Sequence, residues 1–262
     1  MIKESVKFES STVFEGMTSI RALLEARKNG INDRPIDEIL YDEEREKNGK
    51  ISKEIAYLKK ISRDFGFSVT ASDSESINAF TLGNSHGGII AKCGERTLHK
   101  ISESKDKLLP RGFYIMIEGI EDPYNFGYAI RSLYALGASG IVLPARNWLS
   151  AAGVVARSSA GASELIPSFV AQNAVEAIDI FRQKGYKIVA ADENTDVTLC
   201  KADLTYPLFV IVGGEKRGIS KNILSSVDVK VKIDYARDFR ASLSAASAVT
   251  VFGYEIYRQN NN

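Results

Sequence analysis

The chain has 262 residues, 44% hydrophobic and 26% charged, which supplies core for about two folded domains and excludes a disordered chain. Lys and Arg (34) nearly balance Asp and Glu (33), and the net charge of +1 excludes a uniformly basic, histone-like binder, leaving any contact with nucleic acid to a local patch. No apolar run approaches the roughly 20 residues that span a bilayer and the start, Met-Ile-Lys-Glu-Ser-Val-Lys, has no signal-peptide apolar region, so no membrane partner and a cytoplasmic location are expected.

Residues 1–96 read as a small α/β domain. Ile20, Leu23 and Leu24 mark a helix stopped by Gly30, and Ile36, Ile39 and Leu40 a strand. Ile51, Ile55 and Leu58 mark a helix closed near Gly66, followed by strands over 67–69 and 88–92. Residues 97–112 turn polar and carry Pro110 and Gly112, so they read as a linker. Residues 113–262 alternate strand and helix: an apolar strand over 113–118, a helix with Ile130, Leu133, Tyr134 and Gly137 at helical spacing, and a strand over 141–143. A short helix near Ala151, a helix over 175–184 and strands over 188–191 and 208–213 follow. A helix over 220–226, a strand over 229–233 and a long alanine-rich helix from Ser242 to about Arg258 complete the chain. The pattern predicts an α/β fold with a mostly parallel sheet covered on both faces.

Cys93 and Cys200 are far apart with no C-x-x-C spacing and read as reduced thiols, while His86 and His99 are too isolated for zinc, so no metal is expected. A G-x-G-x-x-G after the first strand of the second domain and a G-x-x-x-x-G-K-[ST] are both lacking, which removes the main support for dinucleotide-binding and P-loop readings.

Three segments carry chemistry. Residues 121–131, Glu-Asp-Pro-Tyr-Asn-Phe-Gly-Tyr-Ala-Ile-Arg, form a polar strand-to-helix loop, the place where open α/β sheets bind ligands, and deliver a helix with Arg131 on its inward side. The strand over 208–213 runs into Gly213-Gly214-Glu215-Lys216-Arg217-Gly218, whose glycines let a ligand approach the backbone closely. Ile233 leads through a basic stretch to Ser242-Leu243-Ser244. The basic residues near these loops are Arg131, Arg146, Arg157, Lys216, Arg217, Arg237 and Arg240, and they form the candidate groove for an acidic polymer.

In this order and spacing the segments resemble the three motifs of the SpoU/TrmH family of RNA ribose methyltransferases, a branch of the SPOUT superfamily. The first motif falls on Asp122, Pro123, Asn125, Gly127 and Arg131, the second on Gly213, Glu215 and Gly218, and the third on Ile233, Ser242 and Leu243. The Tyr254-Glu255 pair is similar too. Near the amino end, Glu15-Gly16, the Ala22-Leu23-Leu24-Glu25-Ala26 helix and His86-Gly87-Gly88-Ile89-Ile90-Ala91 resemble the family's accessory RNA-binding domain. The third motif departs from the pattern: Ser244 stands for the usual asparagine, Ala246 for a frequent second serine, and the loop over 234–241 is about one residue longer than usual and lacks a glycine.

The resemblance implies a SPOUT domain over 113–262 with a deep carboxy-terminal trefoil knot, preceded by an L30e-like substrate domain over 1–96. It implies S-adenosylmethionine as cofactor, held at Gly213, Glu215, Ile233, Ser242 and Leu243. It implies methyl transfer to a ribose 2′-hydroxyl of structured RNA, ribosomal or transfer, by a homodimer. Arg131, Asn125, Glu215 and Ser242 would form the catalytic set, and Arg131, Arg217, Arg237 and Arg240 would face RNA. The alternative, motivated by Ser244 and the altered loop, is a knotted RNA-binding protein that keeps the cofactor pocket and has lost or slowed catalysis.

Overall fold

The computed structural model describes residues 12–81, 86–144, 151–214 and 218–261. The chain divides into two compact units, Met1–Thr97 with Trp148–Leu165, and Leu98–Asn147 with Ile166–Asn262. Among the described residues no helix is long and apolar enough to cross a membrane.

The first unit opens with β1 (Val13–Glu15), α1 (Gly16–Lys28), β2 (Ile36–Asp42), α2 (Glu43–Lys47), α3 (Ser52–Phe65), β3 (Ser68–Ser72), α4 (Ser74–Phe80) and β4 (Ile89–Cys93). Its sheet runs β1-β4-β2-β3, with β2 and β3 parallel and the other pairs antiparallel. The apolar stripes of α1 (Ile20, Leu23, Leu24) and α3 (Ile55, Leu58) meet Phe14, Ile39 and Ile89 in one core. Gly66 ends α3 in the left-handed conformation at φ 75°, as its position predicts. Two short helices escape the apolar pattern because their caps define them: Asp42 accepts from the Arg45 N–H at the start of α2, and Asp73 from the Ser76 N–H at the start of α4.

Onward in the chain come β5 (His99–Lys100), β6 (Phe113–Glu118), α5 (Pro123–Ala135), β7 (Gly140–Pro144), α6 (Ala152–Ser158) and α7 (Ala162–Leu165). Then follow β8 (Ser168–Ala171), α8 (Ala174–Gln183), β9 (Lys187–Ala191), β10 (Leu208–Gly213), α9 (Lys221–Leu224), β11 (Val229–Val231) and α10 (Ala245–Asn260). The second unit is a seven-stranded sheet of order β11-β9-β10-β6-β7-β8-β5, parallel throughout. Tyr114, Met116, Phe209 and Ile211 face α8, where the Phe181 and Phe209 rings stack at 4.1 Å. The alternate residues Phe113, Ile115 and Ile117 are buried on the opposite face, where α10 packs on β10 and against α5. From β6 the chain runs outward to β7 and β8, then crosses over to β9 and returns in β10 beside β6. The carboxyl ends of β6 and β10 therefore meet at a topological switch point, where α/β sheets bind ligands.

Two features differ from the sequence expectation. Residues 97–112 are not a linker: β5 pairs with β8, and Ile101 and Leu108 are buried in the second unit's core. A two-residue strand and two apolar residues seven apart carry no readable period. The helix expected near Ala151 forms as α6, but it and α7 count with the first unit, where Ala152 and Ala156 enter the core beside Phe14 and Ile20. Gly161, between them, sits so close to α1 that a Cβ there would lie 2.4 Å from the Cβ of Ala22.

A buried ion pair ties α7 in place. Arg34 Nε lies 2.9 Å from Glu164 Oε2 with both side chains 3% exposed, and the same oxygen accepts from Asn32 Nδ2. Arg34 also donates to Gly94 O at 2.8 Å, so its charge is fully engaged. Glu164→Ala leaves that cation buried without its partner, and the expected cost is about 3 to 5 kcal/mol of stability, read as a shift in the urea midpoint.

Candidate functional site

The site starts from a crossing of two backbones. A Cβ on Gly214 would lie 2.2 Å from the carbonyl oxygen of Gly119 and 2.3 Å from its carbonyl carbon, and one on Gly213 would lie 2.5 Å from the carbonyl carbon of Gly218. These neighbours are main chain and cannot swing aside, so glycine is required where β10 ends against β6. Gly218 folds back and donates its N–H to Gly214 O at 3.1 Å, closing the turn. Beside it, at the end of β6, Oε2 of Glu118 is buried with no hydrogen-bond partner among the described residues, and burial raises its pKa above the ordinary carboxylate value.

The Asp-Pro pair of the first segment proves to be a helix start. Asp122 caps α5 by accepting from the Asn125 N–H at 2.8 Å, and Pro123 occupies the first turn, where its missing N–H costs nothing.

Four of the five residues expected to hold a cofactor, Gly213, Ile233, Ser242 and Leu243, line one open cavity of about 810 Å³ at the carboxyl end of the sheet. The fifth, Glu215, lies outside the described residues, as do Lys216, Arg217 and Arg146. Sequence reasoning missed Asp192, Glu193 and Asn194, which follow β9 and also line the cavity, although their place just past a parallel strand was a usable signal. It missed Tyr235 and Phe239 as well, in the loop between β11 and α10. The Tyr235 hydroxyl accepts from the Leu243 N–H at 3.1 Å, whereas the Ser242 hydroxyl makes no hydrogen bond among the described residues. Tyr235 thereby ties the loop to the residue that precedes the Ser244 cap.

Ser244 has a plain local task. The last helix begins at Ala245 rather than at Ser242, and Ser244 caps it, its Oγ accepting from the Ser247 N–H at 3.2 Å. Serine and asparagine are about equally good in that position. Ser244→Ala should lower stability by about 1 kcal/mol in urea unfolding, and Ser244→Asn should leave it unchanged. Further along α10, Gly253 lies where a Cβ would stand 3.0 Å from Leu136 Cδ1, and Thr250 Oγ1 donates to Ser132 Oγ at 2.8 Å. The small face of α10 thus packs on the end of α5 in the same chain.

Arg131 does not lie inward. The buried face of α5 is Phe126, Ala129, Ile130 and Leu133, and the next position round the helix puts Arg131 in solvent. It is not among the cavity residues and makes no ion pair or hydrogen bond among the described residues. It shares its exposed face with Tyr124, Tyr128 and Tyr134, while α10 exposes Val251, Tyr254 and Tyr257. Arg237 and Arg240 are exposed in the loop that carries Phe239. Arg157 pairs with Glu15 at 3.0 Å inside the first unit. Cys93 is buried there and its thiol is pushed up to about 12 by burial, which disarms it as a nucleophile. Cys200 is an exposed free thiol whose sulfur lies 3.3 Å from Thr198 Oγ1.

Residues 112–254 match the sequence profile of the SpoU rRNA Methylase family. The 23S rRNA (guanosine-2'-O-)-methyltransferase RlmB of Shewanella oneidensis is 27% identical over 218 residues, spanning 82% of this chain and 87% of that protein. An uncharacterized tRNA/rRNA methyltransferase of Mycobacterium leprae, ML0324, is 36% identical over 150 residues, or 57% of this chain and 48% of that one. In fold, the SpoU methyltransferase AviRb of Streptomyces viridochromogenes, solved in complex with AdoMet, is similar with a TM-score of 0.75 at 24% identity, over 94% of this chain and 89% of that one.

Proposed function

The chain belongs to the SpoU rRNA methylase family, and we propose that it transfers the methyl group of S-adenosylmethionine to a ribose 2′-hydroxyl of RNA. The observation that carries this reading is the cavity beside the glycine crossing. Its volume of about 810 Å³ suits a nucleoside-sized ligand. Its wall at Gly213 and Gly214 is bare backbone, offering main-chain groups to a flat ring at van der Waals distance. Bound there, the cofactor supplies a methyl group on a cationic sulfur.

The protein's own residues then have alignment as their task. When an alkoxide-like oxygen, its proton passing to a phosphate or water, attacks a sulfonium and the methyl–sulfur bond breaks, opposite charges cancel as the transition state forms, so a dry and oriented site is worth more than strong acid or base chemistry. A guanidinium is a donor with no acceptor and a poor base, so Arg131 serves to clamp phosphate and orient the ribose, with Asn125 at the start of the same helix. Because Arg131 stands outside its own chain's cavity, it acts in the cavity of a second subunit. The six exposed apolar side chains of α5 and α10 supply the contact face for that homodimer. The knotted threading of the carboxy-terminal segment and the division of labour in which the first unit selects the RNA belong to the same reading. The cap gives Ser244 a structural task, and the assay below separates an active enzyme from a non-catalytic RNA binder.

The test is chemical. The full chain is incubated with methyl-labelled S-adenosylmethionine and total RNA, and the product is digested with alkali, which needs a free 2′-hydroxyl to cut. Label in alkali-stable dinucleotides is the expected result, and label in mononucleotides would place the methyl on a base and sink the ribose assignment.

A further inference from the structure

The loop over 232–244 carries a feature that cofactor binding does not require. Phe239 is 57% exposed and Tyr235 41% exposed, although both reach the cavity wall. Their rings meet edge to face, with centroids 6.0 Å apart at 63°. Tyr235 is fixed through its hydroxyl to the Leu243 N–H, so it acts as a buttress and Phe239 as the free plate. Arg237 and Arg240 flank that plate in sequence, are exposed, and form no ion pair among the described residues. An isolated exposed ring is ordinary on a protein surface. A buttressed ring between two uncommitted guanidinium groups, at the rim of a cavity, is the arrangement that binds unpaired bases by their faces and the adjoining phosphates by charge.

We propose that Phe239, backed by Tyr235, is a stacking platform for an unpaired base of the substrate RNA next to the methylated ribose, with Arg237 and Arg240 holding the flanking phosphates. The inference rests on the reading of the chain as an RNA methyltransferase and narrows its substrate class to RNA whose target nucleotide lies in a loop, bulge or single strand. A continuous duplex keeps its base faces stacked and has nothing to offer the ring.

The 262-residue chain and its Phe239→Ala and Phe239→Trp variants are titrated with labelled oligouridylate, with the same strand annealed to oligoadenylate, and with S-adenosylmethionine. The wild-type chain should prefer the single strand. Phe239→Ala should weaken single-strand binding about five- to hundred-fold, with the duplex and the cofactor affected far less, and Phe239→Trp should restore it. Equal loss for single strand and duplex would reduce the loop to a charged surface and overturn the platform. Loss of cofactor affinity with RNA affinity intact would assign the rings to the cofactor and overturn it too. Methyl transfer to total RNA by Phe239→Ala at an unchanged KM would do the same while leaving the methyltransferase reading standing, whereas a wild-type chain that transfers no methyl group would remove that reading itself.

Discussion

Gly214→Ala should lower the affinity for S-adenosylmethionine by about ten- to hundred-fold, the consequence of overpacking by one methyl group where nothing can yield. The new Cβ would meet the Gly119 carbonyl oxygen at 2.2 Å and the Glu118 carbonyl oxygen at 2.9 Å, both main-chain atoms where the β6 to β10 ladder ends. The strands cannot separate without breaking a fully buried sheet, so the loop after Gly213 must shift instead and the cavity wall shifts with it. The overall fold should survive, because the strain is local and the core residues Ile211 and Met116 are untouched. Isothermal titration against S-adenosylmethionine, with circular dichroism as the fold control, measures this. Full cofactor affinity in the variant would mean that the crossing does not shape the pocket. Gly185→Ala is a useful contrast: that glycine has positive φ but open space around it, so its strain should appear in stability and not in binding.

The glycine crossing was legible because β6 and β10 are unbroken apolar runs that stop abruptly at polar or glycine-rich turns, and such runs read as buried parallel strands. What the chain order could not convey is contact between distant segments. Ala152 and Ala156 look like any amphipathic stripe, and nothing local assigns them to the core of Phe14 and Ile20. Strand β8, Ser-Phe-Val-Ala after Pro167, is too short and too mixed to stand out, yet it bridges β7 to β5. Arg131 was misplaced for a different reason. Its motif position drew it inward, whereas the spacing of Phe126, Ile130 and Leu133 already put it on the outer face. The aromatic pair at Tyr235 and Phe239 is not legible in the sequence, because two rings four residues apart in a loop have no period to announce that they meet.

Arg131→Ala should lower methyl transfer by about 10² to 10³-fold, the usual loss when one preorganised cationic or hydrogen-bond donor is removed from a reaction centre. Cofactor affinity and stability should hardly change, since Arg131 is exposed, lies off the cavity and has no partner among the described residues whose loss could disturb the fold. A fall in cofactor affinity parallel to the loss of rate would make it a pocket residue and refute the role given to it. The same variant tests the dimer. If Arg131 serves the cavity of the other subunit, co-expression of Arg131→Ala with Gly214→Ala chains should, at a cofactor concentration too low to fill the Gly214→Ala site, restore activity that neither variant shows alone. A mixed dimer then owns one site with an intact glycine crossing from the first chain and an intact arginine from the second. Random pairing makes half the dimers mixed, each with one working site of two, so recovery should approach about a quarter of the wild-type rate. If Arg131 served its own cavity, both sites of the mixed dimer would be defective and nothing would be recovered. Recovery at that level therefore requires both a paired α5 and α10 face and an arginine that crosses it.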